Sequence, residues 1–134
     1  MKQDWIASLL GAWSADLTIG SILLRLALSM ALAAIIGCER SSKRHSAGLR
    51  TFILVSLAGT ATMLADRFLM QTAGVTLPLL SAAAVIGITT ISGNSILFSS
   101  KNQIKGLTTS VGLWCCGIVG LCLGAGLYTL ALLL

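Results

Sequence analysis

Residues 17–37 form a run of about 20 residues that carries a single charge, Arg25. A run of that length constrains the fold before anything else, because a bilayer core of ~30 Å is crossed by about 20 residues rising ~1.5 Å each. Further apolar runs begin near Leu49, Pro78 and Leu107, so four crossings and their connections use the 134 residues and leave none for a soluble catalytic domain. Charged residues make up 10% of the chain, against roughly 25% in soluble domains, and mean hydropathy is +0.95. The expected fold class is all-α, a polytopic membrane protein with about four transmembrane helices plus a short interfacial N-terminal helix. In lipid every backbone polar group must be satisfied within the protein.

The chain divides into an interfacial N-terminal segment, 1–17, and a four-helix transmembrane domain, 18–134. Trp5, Ile6, Leu9, Leu10 and Trp13 share one face of a short helix suited to anchoring in the headgroup region. Asp16 is placed to cap the first span. The second span runs from near Leu49 to about Ala65, with Asp66 and Arg67 at the far interface and a helical continuation through Met70. QTAGVT reads as a turn, Pro78 suits the first position of a third span ending near Phe98, and the fourth runs from about Leu107 through the C-terminal LALLL. Arg40, Lys43, Arg44, Arg50, Lys101 and Lys105 lie on one side of the bilayer, Lys2 and Arg67 on the other. The positive-inside rule therefore puts the first and third loops in the cytoplasm and both termini outside.

Several function classes find no support. The net charge of +5 comes from bases split between short loops, with no aromatic-rich basic surface for nucleic acid. Cys38, Cys115, Cys116 and Cys122 lack the paired spacing and histidine partners of a zinc site and read as reduced, apolar-embedded thiols. No metal site and no cofactor are expected. The first apolar run ends in charges rather than a small-residue cleavage site, which argues against a cleaved signal peptide. His45 is the only histidine and lies in a basic loop without a second carboxylate, an activated serine or a nucleotide loop, so no catalytic residues are assigned and the chain is read as no enzyme.

The one charge-dense stretch is GCERSSKRHSAGLRTFIL, 37–54. Glu39 and Arg40 are expected to end the first helix, Gly48 to permit a tight turn and Arg50 to open the second helix, with Glu39 and Arg50 paired across the hairpin. The alternative is a set of positive-inside charges at a membrane edge. Arg25 lies about 12 Å inside its boundary and must snorkel or pair, with Asp66 or Asp16 as partner; it could also serve as an ion relay. Gly112, Cys116, Gly120 and Gly124 form a small-residue ridge for helix packing, within the monomer or between copies. Thr89, Thr90, Ser92, Asn94 and Ser95 offer either inter-helix hydrogen bonds or the polar wall of a permeation path.

ILLRLALSMALAAIIGCER followed by AGLRTFILVSLAGTATML resembles the membrane domain of the MgtC/SapB family, and IKGLTTSVGLWCCGIVGLCLGAGLY is similar to that family's fourth helix. Together these segments cover most of residues 22–128. The resemblance implies a family-like interaction surface at Glu39, Arg40, Gly48, Leu49, Arg50 and Thr51, and at Lys105, Gly106, Thr108, Thr109, Trp114 and Cys115; Arg25 matches as well. GITTISGNSILF departs from the glycine-rich third helix of the family, and the chain stops where many relatives continue into a fifth helix and a cytoplasmic domain.

That resemblance implies a protein of the bacterial inner (plasma) membrane, with a role in magnesium homeostasis, growth under low magnesium or virulence-associated stress. It would act by binding and modulating another membrane complex, such as the ATP synthase. Beyond the lipid bilayer, the expected partner is a membrane protein or a second copy in a homo-oligomer. Two other readings stand beside it: a transporter or channel subunit working as an oligomer, and a small structural subunit of a larger membrane assembly.

Overall fold

The computed structural model describes residues 17–42, 47–94, 96–98 and 104–134. Helix α1 spans Ile19–Ser42, α2 Leu49–Thr72, α3 Leu79–Gly93, α4 Leu107–Ala125 and α5 Tyr128–Leu133. A minimal antiparallel ladder, β1 (Leu97–Phe98) against β2 (Ile104–Lys105), links α3 to α4. The chain is an all-α polytopic membrane protein, with α1, α2 and α4 long and apolar enough to cross a bilayer.

The pattern of burial is inverted relative to a soluble bundle. On α1 the buried residues are Ser21, Arg25, Ser29, Ala33 and Gly37, one every four positions, whereas Leu23, Met30 and Ile35 are exposed. Small and polar residues face the protein because lipid solvates leucine as well as another helix does, and close backbone approach is what a helix pair gains. α2 takes the centre: it packs most extensively on α4 and also contacts α1 and α3. Phe52, Val55, Leu113 and Cys116 form one apolar core with Ala33 and Ile88. Val119, Leu123, Tyr128 and Ala131 form another.

Three expected boundaries move. The third span ends at Gly93, not near Phe98, so α3 has 15 residues, about 22 Å at helical rise and short of the bilayer core. The fourth span does not run through LALLL. α4 stops at Gly126, whose φ of 86° is left-handed, and α5 turns back to bury Tyr128 and Ala131. The first helix passes Glu39 and Arg40 to end at Ser42. The N-terminal helix expected over 1–17, with its Asp16 cap, lies outside the described residues except for Leu17.

Candidate functional site

Among the described residues the charge buried most deeply is Arg25, with 0% of its surface exposed. Its Nη1 donates to the carbonyl of Gly124 at 2.7 Å and its Nε to the hydroxyl of Tyr128 at 3.2 Å. The guanidinium carbon stands 6.0 Å from the Tyr128 ring centroid, within cation–π range. These contacts follow from how α4 ends. The N–H of Leu127 bonds to Cys122 O and that of Gly126 to Leu123 O, the paired bonds of a Schellman motif. That motif leaves the last two carbonyls of the helix, Gly124 and Ala125, unsatisfied. Arg25 takes the first, and Arg67 Nη1 takes the second at 3.0 Å. Two cations thus meet the negative end of the helix dipole. Of the acids expected to hold Arg25, Asp66 points elsewhere and Asp16 lies outside the described residues.

Asp66 instead caps another helix. Its Oδ1 accepts from Leu80 N at 3.0 Å and its Oδ2 from Ser81 N at 2.6 Å. Pro78 sits at the N-cap, one place before its expected position, and has no N–H to satisfy. The start of α3 is therefore fixed by a carboxylate on α2, a charge-assisted arrangement at a positive dipole end.

The small-residue ridge Gly112, Cys116, Gly120, Gly124 faces α2 within the same chain. A Cβ on Gly120 would run into Ser56 O, and one on Gly124 would come within 2.6 Å of Met63 Cβ. Cys116 Sγ lies 3.5 Å from Phe52 O as a weak donor, and Gly112 meets the Phe52 ring. From the other side, a Cβ on Gly59 would stand 2.7 Å from Gly117 O. One hydroxyl ties the same seam, Thr60 Oγ1 reaching Gly120 O at 3.0 Å as well as Ser56 O on its own helix at 3.0 Å, and the Ser29 and Ser56 hydroxyls pair at 2.8 Å between α1 and α2.

Glu39 and Arg50 are both exposed. Gly48 is an N-cap with an ordinary extended backbone, φ −109°, and nothing stands within 4 Å of a Cβ there. The glycine that closes the hairpin is Gly37, where a Cβ would stand 2.9 Å from Leu49 Cα. Thr51 opens α2 by bonding its N–H to Gly48 O at 3.1 Å. Lys105 lies in β2, and Gly106, at φ 89°, caps α4. Thr108 is exposed and Thr109 buried; Trp114 is 41% exposed and Cys115 half-buried.

Of the third-helix polar group, Thr89, Thr90 and Asn94 are exposed and Ser92 is buried; Ser95 lies outside the described residues. Their hydroxyls turn back on their own helix: Thr89 Oγ1 to Val85 O at 2.8 Å, Thr90 Oγ1 to Ile86 O at 2.9 Å and Ser92 Oγ to Thr89 O at 3.0 Å. For these three, the expected inter-helix bonds are not formed, because a threonine or serine in a helix finds the carbonyl three or four residues back first. Thr89, Ser92, Ser110 and Trp114 nevertheless border a recess of about 240 Å³. Among the described residues no three His, Cys, Asp or Glu side chains stand together to hold a metal ion.

Ser21, Ser29, Ser56, Thr60, Gly59, Gly117 and Tyr128 escaped the sequence reading. The recurrence Ser21, Arg25, Ser29, Ala33, Gly37 at intervals of four was a legible signal for the first two. Tyr128 had none, since its role depends on α5 folding back.

A protein named "Putative magnesium transporter YhiD" from Escherichia coli K12 is 30% identical over 82% of this chain and 54% of its own length. Protein MgtC of Brucella abortus is 36% identical over 76% of the chain and 42% of its own length, and Salmonella typhimurium MgtC matches 82% of the chain and 46% of its own length at 33% identity. The chain spans about half the length of these relatives. No solved structure matches it. The model of the MgtC family matches residues 26–134, which take in the α2–α4 seam and most of the helices packed on it, and the chain belongs to that family.

Proposed function

We propose that this chain acts in the bacterial inner membrane, in magnesium homeostasis or virulence-associated stress, by docking onto another membrane protein and altering its activity, without catalysing a reaction itself. The observation that carries this reading is the α2–α4 seam. Its glycines bring backbone against backbone and the Thr60 hydroxyl is bonded across it to Gly120 O, so the centre of the bundle is closely packed. The outer faces carry Leu54, Ile86, Val111 and Trp114 into the lipid phase, where another membrane helix can pack. The name of the E. coli relative supports the magnesium element. The bases within 37–50 support a cytoplasmic position for this end of the bundle, and the 39–51 hairpin, with the start of α4, is the surface such a partner would meet.

The test is co-purification of the tagged chain from native membranes in mild detergent, with particle mass and partner identity measured. A stoichiometric partner, lost on substituting exposed hairpin residues such as Arg50→Glu, is the expected result; a clean homo-oligomer would refute the docking reading. The recess bordered by Thr89, Ser92 and Ser110 favours a second reading, a path completed between copies. Magnesium flux into liposomes holding only this chain, blocked by Asn94→Leu without unfolding, would support that reading.

A further inference from the structure

We propose that the groove between the loop-side ends of α1 and α4 binds one anionic phospholipid from the leaflet bordering the basic loop. Arg40 would hold the phosphate, and Ile36, Leu107 and Val111 would line the acyl chain. The groove measures about 500 Å³ and is lined by apolar side chains except at Arg40, Thr108 and the Cys115 thiol. That volume falls within the roughly 300–1,000 Å³ that takes a small organic ligand, enough for a phosphate and the first part of one acyl chain.

Arg40 distinguishes this groove from an ordinary lipid-facing surface. It is half-buried, and its Nε lies 3.9 Å from where a Cβ on Gly112 would stand, so the side chain lies along α4 rather than extending into water. No hydrogen bond or ion pair holds its guanidinium among the described residues, and no acidic side chain lines the groove. A bare guanidinium over an apolar track at the membrane edge is complementary to one chemistry, an oxyanion carried on a hydrocarbon chain. The neighbouring start of α4 adds to this, since Gly106 gives it no side-chain cap and its dipole is positive there. A zwitterionic lipid brings its own cation to the phosphate and gains less from the same guanidinium. The mouth of the groove faces lipid, with Leu107 and Val111 about half exposed, so a phospholipid enters sideways without leaving the bilayer.

The test is native mass spectrometry of the purified chain in mild detergent, titrated with phosphatidylglycerol and, separately, phosphatidylcholine. The expected result is one tightly held phosphatidylglycerol per chain, bound about tenfold more tightly than phosphatidylcholine, as suits one charge-assisted contact. Arg40→Gln should remove the preference and Arg50→Gln, an exposed arginine outside the groove, should keep it. Val111→Trp, which fills the apolar track and leaves Arg40 intact, should weaken both lipids. Circular dichroism of each variant checks that it is folded. Equal binding of the two lipids by the unaltered chain would overturn the proposal. So would an Arg40→Gln variant that keeps the preference, or an Arg50→Gln variant that loses it equally, which would mark diffuse attraction to a basic face.

Discussion

Placing a methyl group on Gly120 tests the α2–α4 seam directly. The added Cβ would overlap Ser56 O and stand 2.9 Å from Ser56 C and 3.1 Å from Ser56 Cα, all backbone atoms that no rotamer change can move aside. The two helices must separate, and with them goes the bond from Thr60 Oγ1 to Gly120 O. Overpacking of a fitted interface costs about 1–3 kcal/mol, and the lost hydrogen bond adds about 1 kcal/mol. Alanine's better helix propensity returns about 1 kcal/mol, so Gly120→Ala should destabilise by about 1–3 kcal/mol. Gly87→Ala is the matched control: it lies in α3 with nothing within 4 Å of the new methyl, so it keeps the propensity gain alone and should be neutral or slightly stabilising. The assay is SDS titration of the detergent-purified protein in a Cys38→Ser, Cys115→Ser background. Unfolding is read as alkylation of Cys116 and Cys122, both buried in the native chain. If Gly120→Ala unfolds at the same SDS fraction as Gly87→Ala, the seam is not a close backbone contact.

Removing the carboxylate that caps α3, by Asp66→Ala, should cost about 1–2 kcal/mol and raise deuterium uptake at the amides of Leu80 and Ser81 before those of α2. Gly126→Ala forces a side chain into a left-handed backbone at φ 86°, which costs about 1–2 kcal/mol and should lower the melting temperature while Gly48→Ala, at φ −109°, does not. Tyr128→Phe removes one acceptor from buried Arg25 and should destabilise by about 1 kcal/mol, seen as faster exchange of the amides at the end of α4. Thr90→Val should change stability by less than about 0.5 kcal/mol, because the exposed Thr90 hydroxyl bonds only its own helix; a larger loss in the same SDS titration would mean the hydroxyl serves another group.

Much of this was legible in the chain. Apolar runs of spanning length force helices, because a bilayer offers the backbone no other partner, and the all-α polytopic fold follows. Gly112, Cys116, Gly120 and Gly124 recur at intervals of four and so must share a face. Their spacing could not say what that face meets, since a ridge of small residues suits a neighbour in the same chain or in a second copy equally. In the folded chain that neighbour is α2.

The charges show the same division more sharply. The sequence by itself determined that Arg25 had to find partners, since an isolated guanidinium in lipid is too costly to persist. Tertiary structure decided which ones: the carbonyl of Gly124, exposed because α4 ends in a Schellman turn, and the hydroxyl of Tyr128, delivered because α5 folds back. Likewise Asp66 was readable as a boundary residue, but its two oxygens go to the backbone of α3, a helix that begins more than ten residues later. Partner choice among buried polar groups depends on where helix ends fall in space, and helix ends are set by packing and by turns such as that at Gly126. Local pattern fixes which residues need a partner; only the assembled helices determine which partner is within reach.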